Sequence, residues 1–200
     1  MTAFEVTDLS ALEILDSRGR PTLAVTVRLA DGTQARAGVP SGASTGSREA
    51  VERRDGDPAR YEGKGVLGAV AAVNTEISGL LRGRSWASLA EVDQAMIDLD
   101  GTPNKSRLGA NATVGTSMAL ARALAASAGV PLWQWLAPDG VTPSLPVPHF
   151  NVLNGGAHAA NALDFQEFMV APLGAPSMAE AVRAGAEVYS ALRRELTSGS

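Results

Sequence analysis

The chain contains no cysteine, which excludes a disulfide framework and any zinc or iron–sulfur site held by thiolates. No stretch approaches the ~20 consecutive apolar residues of a membrane span. The N-terminus lacks the basic patch and apolar run of a signal peptide. Together these lacks make the cytoplasm the expected compartment. Positive charge is also scarce: the net charge is −4, which argues against a nucleic-acid partner, since that needs a basic surface. Lysine is rarer still. Lys64 and Lys105 are the only two, both in short loops, and a GC-rich coding bias accounts for that as well as a role does. What remains is ordinary for a globular protein, 45% hydrophobic and 19% charged over 200 residues. That length suits one domain, or one domain and part of another.

The densest local signal is Val39-Pro-Ser-Gly-Ala-Ser-Thr-Gly46, which puts three hydroxyls and two glycines directly after a strand-like run. Glycines let backbone N–H groups approach an anion, and hydroxyls add donors and metal-binding oxygens. Composition leaves two readings open, a polar surface turn or a cradle for a phosphorylated ligand. It is not a nucleotide P-loop, because Ser47-Arg48 follows Gly46 where Lys-Ser/Thr is required.

Around this loop the pattern predicts strands over 4–15, 21–30 and 33–39, an antiparallel meander with Asp31-Gly32 as a hairpin turn. In the second strand Leu23, Val25, Val27 and Leu29 share one face, with Thr22, Thr26 and Arg28 on the other. Helices are expected over 66–82, 88–99, 111–128 and 131–137. The stripe of the third is Val114, Met118, Ala121 and Ala125. Ser88 with Glu91, and Ser177 with Glu180, form capping boxes. Pro138, Pro143, Pro146 and Pro148 mark a boundary, giving domains at 1–142 and 143–200. Beyond it lie strands over 147–153 and 165–171, then a helix over 177–196. That helix has a buried stripe of Met178, Val182, Gly185/Ala186, Tyr189, Leu192 and Leu196.

The second half carries a constellation of its own. Asn151-Val-Leu-Asn-Gly-Gly-Ala-His158 ends a strand in a glycine turn, and Asp164-Phe-Gln-Glu-Phe-Met169 follows. Alternation places Gln166 with Asp164 and Phe168, and Glu167 with Phe165 and Met169. A carboxylate among apolar neighbours is costly unless paired or functional. Taken singly, His158 reads equally as a loop histidine and Glu167 as an ion-pair partner. No second histidine stands at metal spacing, and no G-x-S-x-G elbow is present.

Eight stretches resemble enolase, in family order and spacing across nearly the whole chain. They are Glu13–Gly19, Val39–Gly46, Arg54–Asp57, Gly63–Val66, Asp100–Lys105, Leu108–Ala112, Leu153–Gly156 with His158, and Gln166–Met169. The resemblance implies an α+β N-terminal domain of a three-stranded meander and helices. After it would come the opening ββα of a modified TIM barrel, its first two strands antiparallel. It implies reversible, Mg²⁺-dependent dehydration of 2-phosphoglycerate to phosphoenolpyruvate in glycolysis and gluconeogenesis, by a homodimer or higher oligomer. By position, Ser41, Gly42, Ala43, Ser44 and Thr45 belong to a loop that closes over substrate, with Ser44 a Mg²⁺ ligand. His158 approaches the phosphate. Gln166 and Glu167 lie by the substrate's carboxylate and leaving hydroxyl, with Glu167 in an accessory catalytic part.

There are departures. The 200 residues do not contain Gly-Asp-Glu-Gly-Gly with its proton-donor glutamate, the three metal carboxylates, or the lysine base. The expectation is therefore a chain without the C-terminal catalytic part, inactive by itself. Arg20 stands where the family usually has asparagine. Two alternatives stay in view: a non-catalytic interaction or structural module, or a different dehydratase of the superfamily.

Overall fold

Alternating β-branched and leucine residues build the first layer. The computed structural model describes residues 3–42 and 46–198. Strands β1 (Phe4–Leu15), β2 (Pro21–Leu29) and β3 (Gln34–Gly38) form the antiparallel meander. A two-residue strand β4 (Ser85–Trp86) extends it to the order β3-β2-β1-β4. The register sets Val25 opposite Ala11 on one side and Ala37 on the other. At the β2–β3 turn, Gly32 takes φ +89° and Asp31 Oδ1 accepts from the Thr33 N–H at 2.8 Å. Residues 23, 25, 27 and 29 are buried as their alternation requires. Thr22 departs from the expected polar face. It is 5% exposed, because its hydroxyl donates to the Val39 carbonyl at 2.8 Å and so can be buried without loss.

The helices cover this sheet. The expected helix over 66–82 is three segments, α1 (Leu67–Ala72), a wide π turn over Val73–Ile77, and α2 (Ser78–Leu81). The wide turn brings Asn74 against β1, where its amide accepts from the Ala11 N–H and donates to the Ala11 carbonyl. A strand edge that β4 does not reach is satisfied in this way. Helix α3 (Leu89–Asp100) starts at Ser88, whose hydroxyl accepts from the Glu91 N–H at 3.2 Å. Glu91 returns a bond one residue earlier than a capping box predicts, to the Ala87 N–H at 2.7 Å.

Helix α4 (Ala110–Ser127) packs on β2 and β3, and α5 (Leu132–Leu136) follows. The buried face of α4 matches the expected stripe in part: Ala121 and Ala125 are buried and Met118 packs against the core. Val114 is 46% exposed, and Gly115, Ala119 and Ala123 turn inward instead. A Cβ on Gly115 would lie 2.7 Å from Val39 and 2.8 Å from Val25. The helix sits too close to the sheet for any side chain there, so the smallest residue sets the face.

One carboxylate in this layer works against the fold. Asp93 sits between α3 and α4 with Oδ1 buried and without a hydrogen-bond partner among the described residues. Burial pushes its carboxyl above the usual range, and a hydrogen bond with Ser117 only partly offsets that. A carboxyl raised in the folded state stabilises below its unfolded value, and that contribution is lost as pH rises through the folded value. At neutral pH the cost is therefore present. Asp93→Asn is expected to raise the thermal midpoint above pH 6. The gain is about 1 kcal/mol at most for a partly exposed site, and it shrinks toward pH 4.

The chain divides into two compact units, 1–138 and 139–200. The second holds β5 (Phe150–Asn154) and β6 (Glu167–Val170), an antiparallel pair with a bulge between Asn151 and Leu153, and α6 (Met178–Ser198). Ser177 caps α6 through the Glu180 N–H at 3.2 Å. The expected buried stripe of α6 is largely open. Ala181 and Gly185 are buried, whereas Val182, Tyr189 and Leu196 are about half exposed. A hairpin offers a helix one narrow contact, and here the Phe150 ring lies against Gly185, where a Cβ would overlap it.

Candidate functional site

The loop after β3 is held at its base by a network that begins in the neighbouring segment. Arg54 donates to the Pro21 and Lys64 carbonyls at 2.7 and 2.8 Å, and to Ser41 Oγ and Glu52 Oε2 at 2.8 and 2.5 Å. Ser41 Oγ in turn donates to Glu52 at 3.1 Å, and the Gly42 N–H faces the other Glu52 oxygen at 3.4 Å. Arg18, paired with Asp16 at 3.2 Å, donates to the Ser41 carbonyl at 2.9 Å. Two of the expected substrate-loop residues, Ser41 and Gly42, are therefore fixed by one guanidinium and one carboxylate. Ala43, Ser44 and Thr45 lie outside the described residues, and with them the expected Mg²⁺ ligand.

The other motifs of the first unit prove to be the frame of this loop. Asp55 accepts from the Leu67 and Gly68 N–H groups at 2.9 and 2.8 Å, which satisfies the start of α1. Glu13 accepts from Val66 N–H at 2.9 Å and pairs with Arg60. That hydrogen bond to Arg60 is the main reason its carboxyl lies below the usual range, in spite of burial. A Cβ on Gly65 would fall on Asp55 and Arg60, which explains the Gly-Lys-Gly spacing. Asp100, 2% exposed, accepts from Leu108 and Thr102 N–H groups at 2.7 and 3.0 Å. Asn111 clasps the Arg53 backbone, accepting at 3.0 Å and donating at 3.1 Å. Val51 N–H reaches the Asn104 carbonyl at 2.8 Å, and Ala110 N–H reaches the Val51 carbonyl at 2.8 Å.

Sequence reasoning did not single out Glu52, Arg54 or Arg18 as loop anchors. Arg18 and Arg54 fall inside matching stretches, but nothing in their spacing ties them to Ser41.

In the second unit the hairpin loop brings His158 to Glu167, with Nδ1 to Oε1 at 3.9 Å. Gly155 N–H donates to the Gln166 carbonyl at 3.1 Å, and Gly156 N–H to Leu163 at 2.8 Å. Gly156 adopts φ +54° as the chain turns. A Cβ on Gly155 would lie 2.6 Å from Leu163, so packing requires the first glycine and the positive φ favours the second. The strand starts at Glu167, two residues later than expected. Phe165 consequently sits in the loop, its ring 5.9 Å from Phe168 between centroids, and does not share a strand face with Glu167. Gln166 precedes the strand and is exposed.

Among the described residues no three His, Asp or Glu side chains gather as a metal-holding group. Mg²⁺ takes oxygen ligands, chiefly carboxylates and waters. Glu52, the carboxylate that meets the loop base, is already engaged by Arg54 and Ser41. The described residues do not by themselves fit a Mg²⁺ site. No described helix is long and apolar enough to cross a membrane.

Comparison with known families agrees with both units. The family model described as Enolase, N-terminal domain, matches residues 6–136, and the one described as Enolase, C-terminal TIM barrel domain, matches residues 142–199. The first match alone spans well over half of the chain, and the meander, its helices and the antiparallel β5–β6 opening are laid out as that resemblance requires. The chain belongs to the enolase family.

Proposed function

We propose that this chain supplies the substrate-loop half of a Mg²⁺-dependent phosphopyruvate hydratase, which interconverts 2-phosphoglycerate and phosphoenolpyruvate. The observation that carries this is the approach of His158 to Glu167 at 3.9 Å, with Gln166 beside them at the head of β6. An imidazole beside a carboxylate suits a phosphate at one end of the substrate and a leaving hydroxyl at the other. Glu167 acts on that hydroxyl in an accessory role, Gln166 binds the carboxylate end, and His158 faces the phosphate. The loop of Ser41, Gly42, Ala43, Ser44 and Thr45 serves in this reading as the lid that closes over substrate and excludes water, carried on the anchored base at Ser41 and Gly42. Of the residues in this chain, Ser44 would be the one to hold Mg²⁺, and the ion would supply charge neutralisation at the substrate carboxylate. The remaining ligands, the proton donor and the base are not among these 200 residues. The assembled enzyme is a cytoplasmic homodimer or larger oligomer in this reading.

The 200 residues alone are expected to form no phosphoenolpyruvate from 2-phosphoglycerate with Mg²⁺. Loss of one general acid or base commonly costs ~10²–10⁴-fold, and both are missing. Turnover by the rigorously purified 200-residue chain would overturn the assignment of roles.

One observation favours a second reading. The 1–138 unit encloses a continuous core from Val6 to Ala123, so it has the makings of a free-standing module. A non-catalytic interaction role predicts that the chain co-purifies with an intact enolase subunit. Failure to do so at micromolar concentrations counts against it.

A further inference from the structure

We propose that the N-terminal unit binds a small organic ammonium, an amine carried on an apolar body, in a cleft at the end of the sheet away from the Ser41 loop. The register of β1 on β2 separates the two ends. It runs from Val6 opposite Leu29 to Leu15 opposite Pro21. Past Leu15 the chain reaches Arg18, which donates to the Ser41 carbonyl. The Phe4 end instead borders a cleft of about 620 Å³, walled by the β2–β3 turn, the entry to α3, the last turn of α4 and α5. A volume of that order suits one small molecule. Neither the Ser41 loop nor the His158–Glu167 pair lines it, so the proposal stands or falls independently of the reaction assigned above.

The charge of the wall has one sign. Glu5 and Asp31 line the cleft, and no basic side chain among the described residues does. Glu5 has no ion-pair partner among those residues. Asp31 accepts from the Ser127 hydroxyl and the Thr33 N–H, which hold its carboxyl below the usual range and keep it ionised. The last turn of α4, the negative end of an 18-residue helix, adds to this at Ser127 and Ala128. The entry to α3 would pull the other way, but two of its amides are taken. Glu91 accepts from the Ala87 N–H at 2.7 Å, and Ser88 Oγ accepts from the Glu91 N–H at 3.2 Å. An anion therefore finds no counter-charge here.

The remainder of the wall decides what kind of cation fits. Phe4, Leu29, Leu124 and the half-buried Trp135 give it an apolar lining. An aromatic face beside carboxylates suits an ammonium, which is attracted by the ring as well as by the charge. A bare divalent ion is a poor fit. It needs several oxygen ligands, whereas both Asp31 oxygens already accept hydrogen bonds and no three acidic or histidine side chains gather among the described residues. The apolar lining selects instead a cation with a body to bury.

The test is titration of the 200-residue chain at neutral pH and low ionic strength, followed by amide and indole NMR shifts. The probe is phenethylammonium. Phenethyl alcohol, hydrocinnamate and methylammonium are the comparisons, which remove the charge, reverse it, and remove the body. The expected result is saturable shifts at Glu5, Ala30, Ser88 and the Trp135 indole N–H with phenethylammonium, and weaker binding of all three comparisons. Glu5→Gln is expected to weaken phenethylammonium binding by about threefold to fivefold, with the thermal midpoint unchanged. Glu62→Gln, which removes an exposed carboxylate elsewhere, is expected to leave it as it was. Equal loss in both variants would show attraction to overall charge and overturn the site. So would no loss in Glu5→Gln, shifts elsewhere, or no saturation. Equal affinity for phenethyl alcohol or hydrocinnamate would overturn the choice of a cation, and equal affinity for methylammonium would overturn the apolar body.

Discussion

Replacing Arg54 with alanine is expected to cost about 3 kcal/mol of folding stability and to release the base of the Ser41–Gly42 loop. The guanidinium serves four acceptors at once, two carbonyls, a hydroxyl and a carboxylate. Its loss leaves the Pro21 and Lys64 carbonyls unpaired in a partly buried setting and Glu52 without its counter-charge. The Arg54 and Glu52 side chains retain about a quarter to a third of their exposure, so water recovers some of this, and the figure is set below the sum of four charged bonds. Arg54→Lys is expected to recover little, since an ammonium cannot span a planar fork of acceptors. Thermal unfolding gives the stability, and amide exchange at Gly42 reports the anchor. Fast exchange in Arg54→Ala with unchanged exchange in the β1–β2 ladder is the expected pattern.

The second large effect is at Asp100. Its carboxylate ends α3 and shapes the next turn, accepting from Thr102 and Leu108 N–H groups and the Thr102 hydroxyl. Burial alone would raise its carboxyl. The hydroxyl and amide donors, with the charge of Arg107, outweigh that and hold it below the usual range. Asp100→Ala leaves the buried Leu108 amide and the part-buried Thr102 amide unsatisfied and is expected to cost about 3 kcal/mol. The sign of the pH dependence follows from the lowered value. The carboxylate stabilises fully above its unfolded value, about 4, and the contribution is lost as pH falls through the folded value. Asp100→Asn is therefore expected to be less stable at pH 7 and to lose less on acidification to pH 3. Parallel denaturation curves for the two proteins across that interval would contradict this account of the turn.

These effects show which parts of the molecule can be read in a sequence. The β2 face is legible because Leu23, Val25, Val27 and Leu29 contrast with their neighbours, and contrast is what a period needs. Helix α4 lacks it. In an Ala-Gly-rich helix a β-branched residue such as Val114 reads as part of the buried stripe. Close packing on Val25 and Val39 selects Gly115 instead. Strand β4 is two residues long and shows no period; it exists because Trp86 tucks under α2, its indole N–H donating to the Leu81 carbonyl at 3.2 Å. The loop at 41–46 and the candidates His158 and Glu167 are announced by glycines and by order along the chain, whereas the approach of those two to each other is not. The Arg54–Glu52–Ser41 anchor is not, because it is a convergence of segments that only the folded backbone brings together.

The central claim is that these residues form the substrate-loop half of an enolase. Its most direct test is a chimera in which residues 1–200 replace the matching segment of a full-length enolase. Phosphoenolpyruvate formation is then followed with Mg²⁺ and 2-phosphoglycerate. The account predicts turnover by the folded chimera, a fall in kcat of roughly 10²–10⁴-fold for its Glu167→Gln variant, and a fall also for Ser44→Ala. A folded chimera that forms no product, or a Glu167→Gln variant as fast as its parent, would contradict it.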